Sequence, residues 1–232
     1  MICLPEGDRL LLITQPDHAQ LAGRIMEQCD ALVDHPRRAS ILRACAEHDD
    51  GWIEVDAAPE VDHLTGQVVD FMTAPSLTKQ SVWPRAVARL AGDPWAAALV
   101  AMHAITVYSR YRDDPTWTSF FPDMSAARDA LVRESGRAIA DLEADYPFVR
   151  LADLISLTFC NRWTEPQSFG GWTVRGAGPH VTVSPEAFGG AKVRMEISAR
   201  AVPFQRYLST AELHAALRSA PTVTLAGTAG GD

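Results

Sequence analysis

The chain has 232 residues, 47% of them hydrophobic and 22% charged, with a formal net charge of −8. That length and composition describe a globular protein able to bury a core without disulfides or structural zinc. The acidic balance argues against nucleic acid or an anionic membrane surface as the main partner. Residues 1–165 carry 15 basic and 25 acidic side chains, and residues 166–232 carry 6 and 4, so two units of different character are expected.

In chain order, Arg9 to Thr14 reads as a short strand of Leu and Ile. Thr14-Gln-Pro-Asp-His18 then supplies a polar cap, a first-turn proline and an acidic residue, which start a helix running to about Cys29. Asp34-His-Pro36 starts a second helix that ends near His48, with Gly51 as its stop. Residues 55–76 contain Pro59, Gly66 and Pro75 and little periodicity, a long loop of the kind that often carries function. Helices are expected at about 77–91, 95–110, 124–145 and, after Pro147, 149–161, with an aromatic connection over 111–122.

The texture changes after Trp163. Glycines punctuate short segments, and Val193, Met195, Ile197, Ala199 and Ala201 alternate with polar residues as in a half-buried strand. Ser209 and Glu212 form a capping box for a short helix, followed by an apolar stretch at 223–225 and an expected flexible tail over 227–232. The cysteines, Cys3, Cys29, Cys45 and Cys160, have no C-x-x-C spacing and read as free thiols in a reducing compartment. Leu10 to Ile13 is too short for a signal-peptide core, and no apolar run reaches the roughly 18 residues of a membrane span. A cytoplasmic location is the expectation, with a homodimer left open.

The informative motif is the adjacent pair His48-Asp49, which offers a nitrogen and an oxygen donor to a divalent metal. Chance supplies such pairs readily, so its weight depends on other ligands. His18 shares a helix face with Leu21, Ala22 and Ile25; His48 shares one with Ile41, Ala44 and Cys45. His103 lies among Leu99 and Val107, and Asp153 between Val149 and Leu157. A carboxylate on a buried apolar face costs several kcal/mol unless it is paired, hydrogen-bonded or bound to metal. Asp153 therefore either ligates a metal or pairs with an arginine such as Arg150. Four helices that each turn a metal-competent side chain inward are what a bundle metal site needs.

The order His18, then His48-Asp49, then Asp153 resembles the HD superfamily of metal-dependent phosphohydrolases. That resemblance covers about 14–161 and implies His18, His48, Asp49 and Asp153 as metal ligands. It implies two further histidines for a second metal; His103 fits one by its helical setting, and His63 in the irregular loop is the other candidate by order. Ile13–Gly23, His48–Trp52 and Asp153–Leu157 also resemble an uncharacterised bacterial family known only by a domain-of-unknown-function label.

The expected fold is mainly α: an HD-like helical domain over 1–163, a small C-terminal β-containing (α+β) unit over 164–226 and the tail, with strand 9–14 able to join the β unit. The expected activity is metal-dependent hydrolysis of a small phosphorylated or related anionic metabolite. The cofactor is a divalent metal, Mn, Fe, Ni, Zn or Mg. Asp49, His103 and Asp50 are the candidate catalytic groups, with Asp17 and Asp50 able to orient water or brace an imidazole. Oxygen chemistry at two irons, which the same resemblance allows, and a non-catalytic metal- or ligand-binding role stand as alternatives. Arg24, Arg38, Lys79 and Arg85 are cations available to a phosphate, although no basic cluster marks a phosphate site along the chain. Trp52 with its neighbours and the aromatic stretch Tyr108–Phe121 are candidates to wall a pocket. No dinucleotide fingerprint, Walker loop, H-E-x-x-H or G-x-S-x-G is present.

Overall fold

The computed structural model describes residues 1–231. The chain opens with a hairpin, β1 (Ile2–Glu6) and β2 (Arg9–Ile13), antiparallel with Ile2 opposite Ile13. Helix α1 (Gln15–Met26) follows at once, because Thr14 Oγ1 accepts the Asp17 amide at 3.1 Å and Pro16 sits in the first turn. Next come α2 (Arg38–Glu47), a 3₁₀ turn (Asp50–Trp52) and the short α3 (Ile53–Ala57). Helices α4 (Ser76–Arg89), α5 (Pro94–Val107), α6 (Phe120–Glu134) and the 23-residue α7 (Ile139–Asn161) complete the helical layer.

The helix expected over 124–145 ends instead at Glu134, and α7 runs straight through Pro147. Gly136 has φ 67°, a left-handed stop that glycine adopts freely. Proline removes one backbone donor, and the buried face of α7, from Leu142 and Tyr146 to Phe159, outweighs that loss.

The remaining strands are β3 (Gln167–Phe169), β4 (Trp172–Ala177), β5 (His180–Ser184), β6 (Val193–Pro203) and β7 (Thr222–Gly230). All seven strands join one sheet in the order β1-β2-β6-β7-β5-β4-β3, antiparallel except for β5 against β7. This corrects the expected fold class. The molecule is α+β with a curled seven-stranded mixed sheet, not a mainly helical HD-like domain with a small β unit. The physical reason is a shared core. Val174, Val183, Met195 and Ile197 on the sheet pack in the same cluster as Leu21, Ile25, Leu151 and Phe159 on the helices. Sheet and helical layer thus bury one another's apolar faces.

Strand β2 pairs with β6, so the N-terminal hairpin extends the sheet built by the last third of the chain. Residues 227–230, expected in the tail, are the end of β7 and pair with both β5 and β6; Asp232 lies outside the described residues. Helix α8 (Thr210–Ser219) covers the opposite face of the sheet, where Leu10, Leu12, Val202, Tyr207 and Leu213 form a second, smaller cluster. Half of the expected capping box forms: Ser209 Oγ accepts from Glu212 N, while the Glu212 carboxylate reaches past the cap to the Leu208 amide. The loop over 55–76 is tied by a bridge between Val61 and Val68. No described helix is long and apolar enough to cross a membrane.

Candidate metal centre

Four segments deliver the donors. His18 is on the first turns of α1, His48 caps the C-terminus of α2, His103 is on α5 and Asp153 on α7. Each is at most 3% exposed, and Asp49 is 7% exposed. Gly51 lets α4 close over this end: a Cβ there would stand 1.8 Å from the Val82 carbonyl oxygen. Two groups of donors result, His18–His48–Asp49 and His48–His103–Asp153, each with its ligand atoms within 4.8 Å of one another. His48 belongs to both, and its ring centroid lies 5.1 Å from those of His18 and His103.

Hydrogen bonds on the far side of each ring fix what faces inward. His48 Nδ1 lies 2.9 Å from the Cys45 carbonyl oxygen, which can only accept, so the proton is on Nδ1. His48 Nε2 is fully buried and has no partner within hydrogen-bond distance. It stands 3.7 Å from Asp49 Oδ2 and 3.6 Å from Asp153 Oδ1. The Ser156 hydroxyl lies 3.1 Å from the Asp153 carbonyl oxygen and 2.9 Å from His18 Nδ1, and His18 Nε2 makes a 2.8 Å hydrogen bond to Asp49 Oδ2, the ring donating to the carboxylate. His103 Nδ1 meets the Tyr146 hydroxyl at 3.2 Å, and its Nε2 lies 3.5 Å from Asp153 Oδ2. Nitrogens and carboxylates this close need a cation between them, a proton or a metal ion. Imidazoles anchored at Nδ1 and turned toward carboxylates through Nε2 could hold a divalent ion once that proton leaves.

The charges respond accordingly. Burial opposes a charged His48, yet Asp49 and Asp153 outweigh it and raise the ring to about 9, so without a metal ion a proton occupies Nε2 between the two carboxylates. Burial also pushes against ionised Asp49 and Asp153, but the histidines, and Arg150 at Asp153, hold both carboxyls below their usual range. At His103 burial dominates and lowers the ring to about 3, which keeps it neutral. Arg150 donates to Asp153 Oδ2, so the arginine partner expected for this carboxylate is present alongside the histidines.

Asp49, His103 and Asp153 form one end of a cavity of about 680 Å³. Trp52, Trp83, Tyr108 and Trp163 line it, with Gln15, Phe71 and Met72. Lys79, Arg110, Arg150 and Arg162 bring four cations to this wall, against Asp49, Asp153 and Glu165. These basic residues are far apart in sequence, so the chain offers no basic run to signal them. Arg162 ends α7 with φ 56°, a left-handed conformation costing a non-glycine residue about 1 kcal/mol. Lys79 is nearly buried and donates to the Met72 carbonyl at 2.6 Å.

The other sequence candidates fall elsewhere. His63 is exposed and belongs to neither donor group. Asp50 does not line the cavity; burial and Glu47 raise its carboxyl to about 6. Asp17 is exposed and bonds to its helix cap Thr14. Of the candidate phosphate cations, Arg24, Arg38 and Arg85 donate to backbone carbonyls of Glu196, Glu27 and Gly51, and only Lys79 reaches the cavity. In the aromatic stretch Tyr108 lines the cavity, while Tyr111 and Trp117 stack on each other at 4.8 Å. Ser156 and Gln15 were not singled out from the sequence. A serine three residues after Asp153 within an apolar run is a readable signal for the first; the second has none.

The chain belongs to the family described as "Protein of unknown function (DUF3891)", whose model matches residues 1–204. No curated protein and no solved structure matches it.

Proposed function

For a member of a family without an assigned activity, we propose metal-dependent hydrolysis of a small phosphorylated or related anionic metabolite. The observation that carries it is His48 Nε2, a buried nitrogen without a hydrogen-bond partner that faces Asp49 and Asp153. The donor set fits a divalent ion: His18, His48 and His103 offer nitrogen, and Asp49 and Asp153 offer oxygen. Mixed imidazole and carboxylate ligands suit Mn, Fe, Ni or Zn. The order of these ligands along the chain resembles that of the HD superfamily, and that order alone supports HD-type roles for His18, His48, Asp49 and Asp153. A bound ion would supply a Lewis acid for a phosphoryl oxygen and a more acidic water.

The chain's own groups do the rest. Arg150, tied to Asp153, stands where the donors meet the cavity and can bind an anion beside them. Lys79, Arg110 and Arg162 add positive charge for further oxygens. Trp83 packs on His103 with centroids 5.6 Å apart and keeps water from that side of the ring. His48 stays anchored through Cys45, and His18 through Ser156, so neither imidazole needs to reorient when ligands bind.

The test begins with elemental analysis after reconstitution with Mn, Fe, Ni and Zn, followed by turnover of 4-nitrophenyl phosphate. Wild-type protein is expected to hold metal and release phosphate. Asp49→Ala and Asp153→Ala are expected to lose metal and at least 100-fold in turnover. Wild-type protein that takes up no metal overturns the proposal, and metal retained in both variants overturns the ligand assignment. Metal-dependent dioxygen consumption without phosphate release would assign oxidative chemistry instead.

A further inference from the structure

Resting on the hydrolytic function proposed above, we infer that the substrate carries a second anionic group besides its phosphoryl group, and that Lys79 and Arg110 bind it. Lys79 is 6% exposed and lines the same cavity as Asp49, His103 and Asp153. Its one side-chain hydrogen bond among the described residues goes to the Met72 carbonyl at 2.6 Å. An ammonium has three N–H bonds, so two are left without a protein acceptor. Arg150 has Asp153 as its carboxylate partner, whereas neither Lys79 nor Arg110 forms an ion pair among the described residues. A cation held this far from water is costly unless an anion meets it.

The place of Lys79 on its helix adds to that cost. It falls in the first turn of α4, where the positive end of the helix disfavours a cation. A second cation stands close by. Arg110 Cζ is 4.8 Å and Lys79 Nζ 6.0 Å from the centroid of the Tyr111 ring, which puts the two charges within about 11 Å of one another. Arg110 is exposed, lines the cavity and gives one donor to the Tyr111 hydroxyl at 3.0 Å. Glu165 is the one carboxylate of the cavity wall outside the donor groups, and it pairs with neither cation. Two cations thus share this part of the cavity without a counter-charge from the protein, and an anion there relieves both.

The cavity joins this pair to the donor end. Trp83 follows Lys79 by four residues on α4, one turn or ~6 Å away, and its ring lies 5.6 Å from that of His103. The ammonium therefore stands roughly 10 Å from the donors. Contacts of about 3 Å at each end leave roughly 4 Å between the anionic centres, a spacing of two to four carbons. Ring contacts run from His103 through Trp83 and Tyr108 to Tyr111, so an apolar wall faces those carbons. The first anion sits at Asp49, His103 and Asp153 with Arg150, and the second at Lys79 and Arg110. The substrate class is a small phosphorylated metabolite with a carboxylate or a second phosphoryl group a few carbons away.

Three phosphonates, which cannot be hydrolysed, test this: 4-phosphonobutyrate, propane-1,3-bisphosphonate and butylphosphonate. The last is the first with methyl in place of carboxylate. Each is titrated calorimetrically into metal-loaded wild-type protein, Lys79→Met and Arg110→Gln, with metal content measured in all three. Wild-type protein is expected to bind one or both doubly anionic ligands at least tenfold more tightly than butylphosphonate, the scale of one charge-assisted pair. The tighter of the two identifies the second group. Lys79→Met is expected to keep its metal, bind butylphosphonate as wild type does, and lose the preference. Arg110→Gln, at an exposed position, is expected to reduce the preference at least threefold without any change in the core. A lysine that only ties down Met72 would weaken all three ligands together, so the ratio isolates its role toward the second anion. Equal binding of all three by wild-type protein overturns the inference, as does a preference that survives in Lys79→Met. Metal uptake without binding of any phosphonate overturns it too. Absence of metal instead marks failure of the hydrolytic function beneath it.

Discussion

Two aspartates on α7, Asp145 and Asp153, are both buried, and their partners give them different work. Asp145 accepts from Arg37 Nε at 2.5 Å and Nη2 at 2.8 Å and from the Trp95 indole at 2.9 Å. Its charge is spent on tying the start of α2 to α7. Asp153 has Arg150 on one side and, on the other, two imidazole Nε2 atoms at 3.5–3.6 Å. The support of those imidazoles is where a single atom matters most. Ser156 connects His18 to the Asp153 carbonyl, and removing such an outer partner typically weakens metal binding 10–100-fold. Ser156→Ala is therefore expected to lose about tenfold or more in metal affinity with little change in fold, measured by titration in a metal buffer. Unchanged affinity would show that Ser156 does not orient the ring. In the sequence, His18, His48, His103 and Asp153 are legible because each interrupts an apolar face, and Asp49 because it adjoins His48. His63 was suggested by order alone, and its loop keeps it at the surface.

At the scale of elements, helix starts were readable and helix ends less so. Thr14 and Asp93 cap α1 and α5 through their own side chains, a local interaction the sequence displays. The sequence places the break between α6 and α7 at Pro147, but it falls at Gly136, because tertiary packing of the α7 face decides which irregularity the chain tolerates. Strand β7 shows the same effect more strongly. Read alone, Gly227-Thr-Ala-Gly-Gly231 is a tail; in the sheet it extends the strand between β6 and β5. Deleting residues 222–232 would unzip the sheet at its middle and bare two strand edges. The truncated chain is expected to be insoluble or unfolded by circular dichroism. A soluble product with native-like helical signal and an unchanged unfolding midpoint would refute that account of the sheet.

For the whole molecule, the continuous core governs reactivity and pH response. Burial pushes the Cys3 thiol up to about 12 and raises Cys29, Cys45 and Cys160 as well. All four are free thiols. Raised values suppress the reactive thiolate. Iodoacetamide at pH 8 is therefore expected to leave the folded protein unlabelled over minutes and to add four groups in urea, counted by mass spectrometry. The linkage has a definite sign. The unfolded chain releases thiol protons near its ordinary value of about 9, while the folded chain holds them until higher pH. Unfolding thus sheds protons there, and stability contributed by these thiols declines as pH rises above about 9. A urea midpoint that rises between pH 8 and pH 10 would contradict this.

The sequence by itself determined the helix caps, the alternating pattern of β6, and a set of histidines and aspartates on faces that had to be buried. These are local properties, fixed by residue type and by periods of 3.6 and 2. Tertiary structure alone decided that β1, β2 and the late strands form one sheet and that the helices and this sheet share one core. It also decided that Lys79, Arg110, Arg150 and Arg162 meet around a single cavity. Those outcomes depend on contacts between residues remote in sequence, where the free energy of burying one element's face is set by whichever other element comes to cover it.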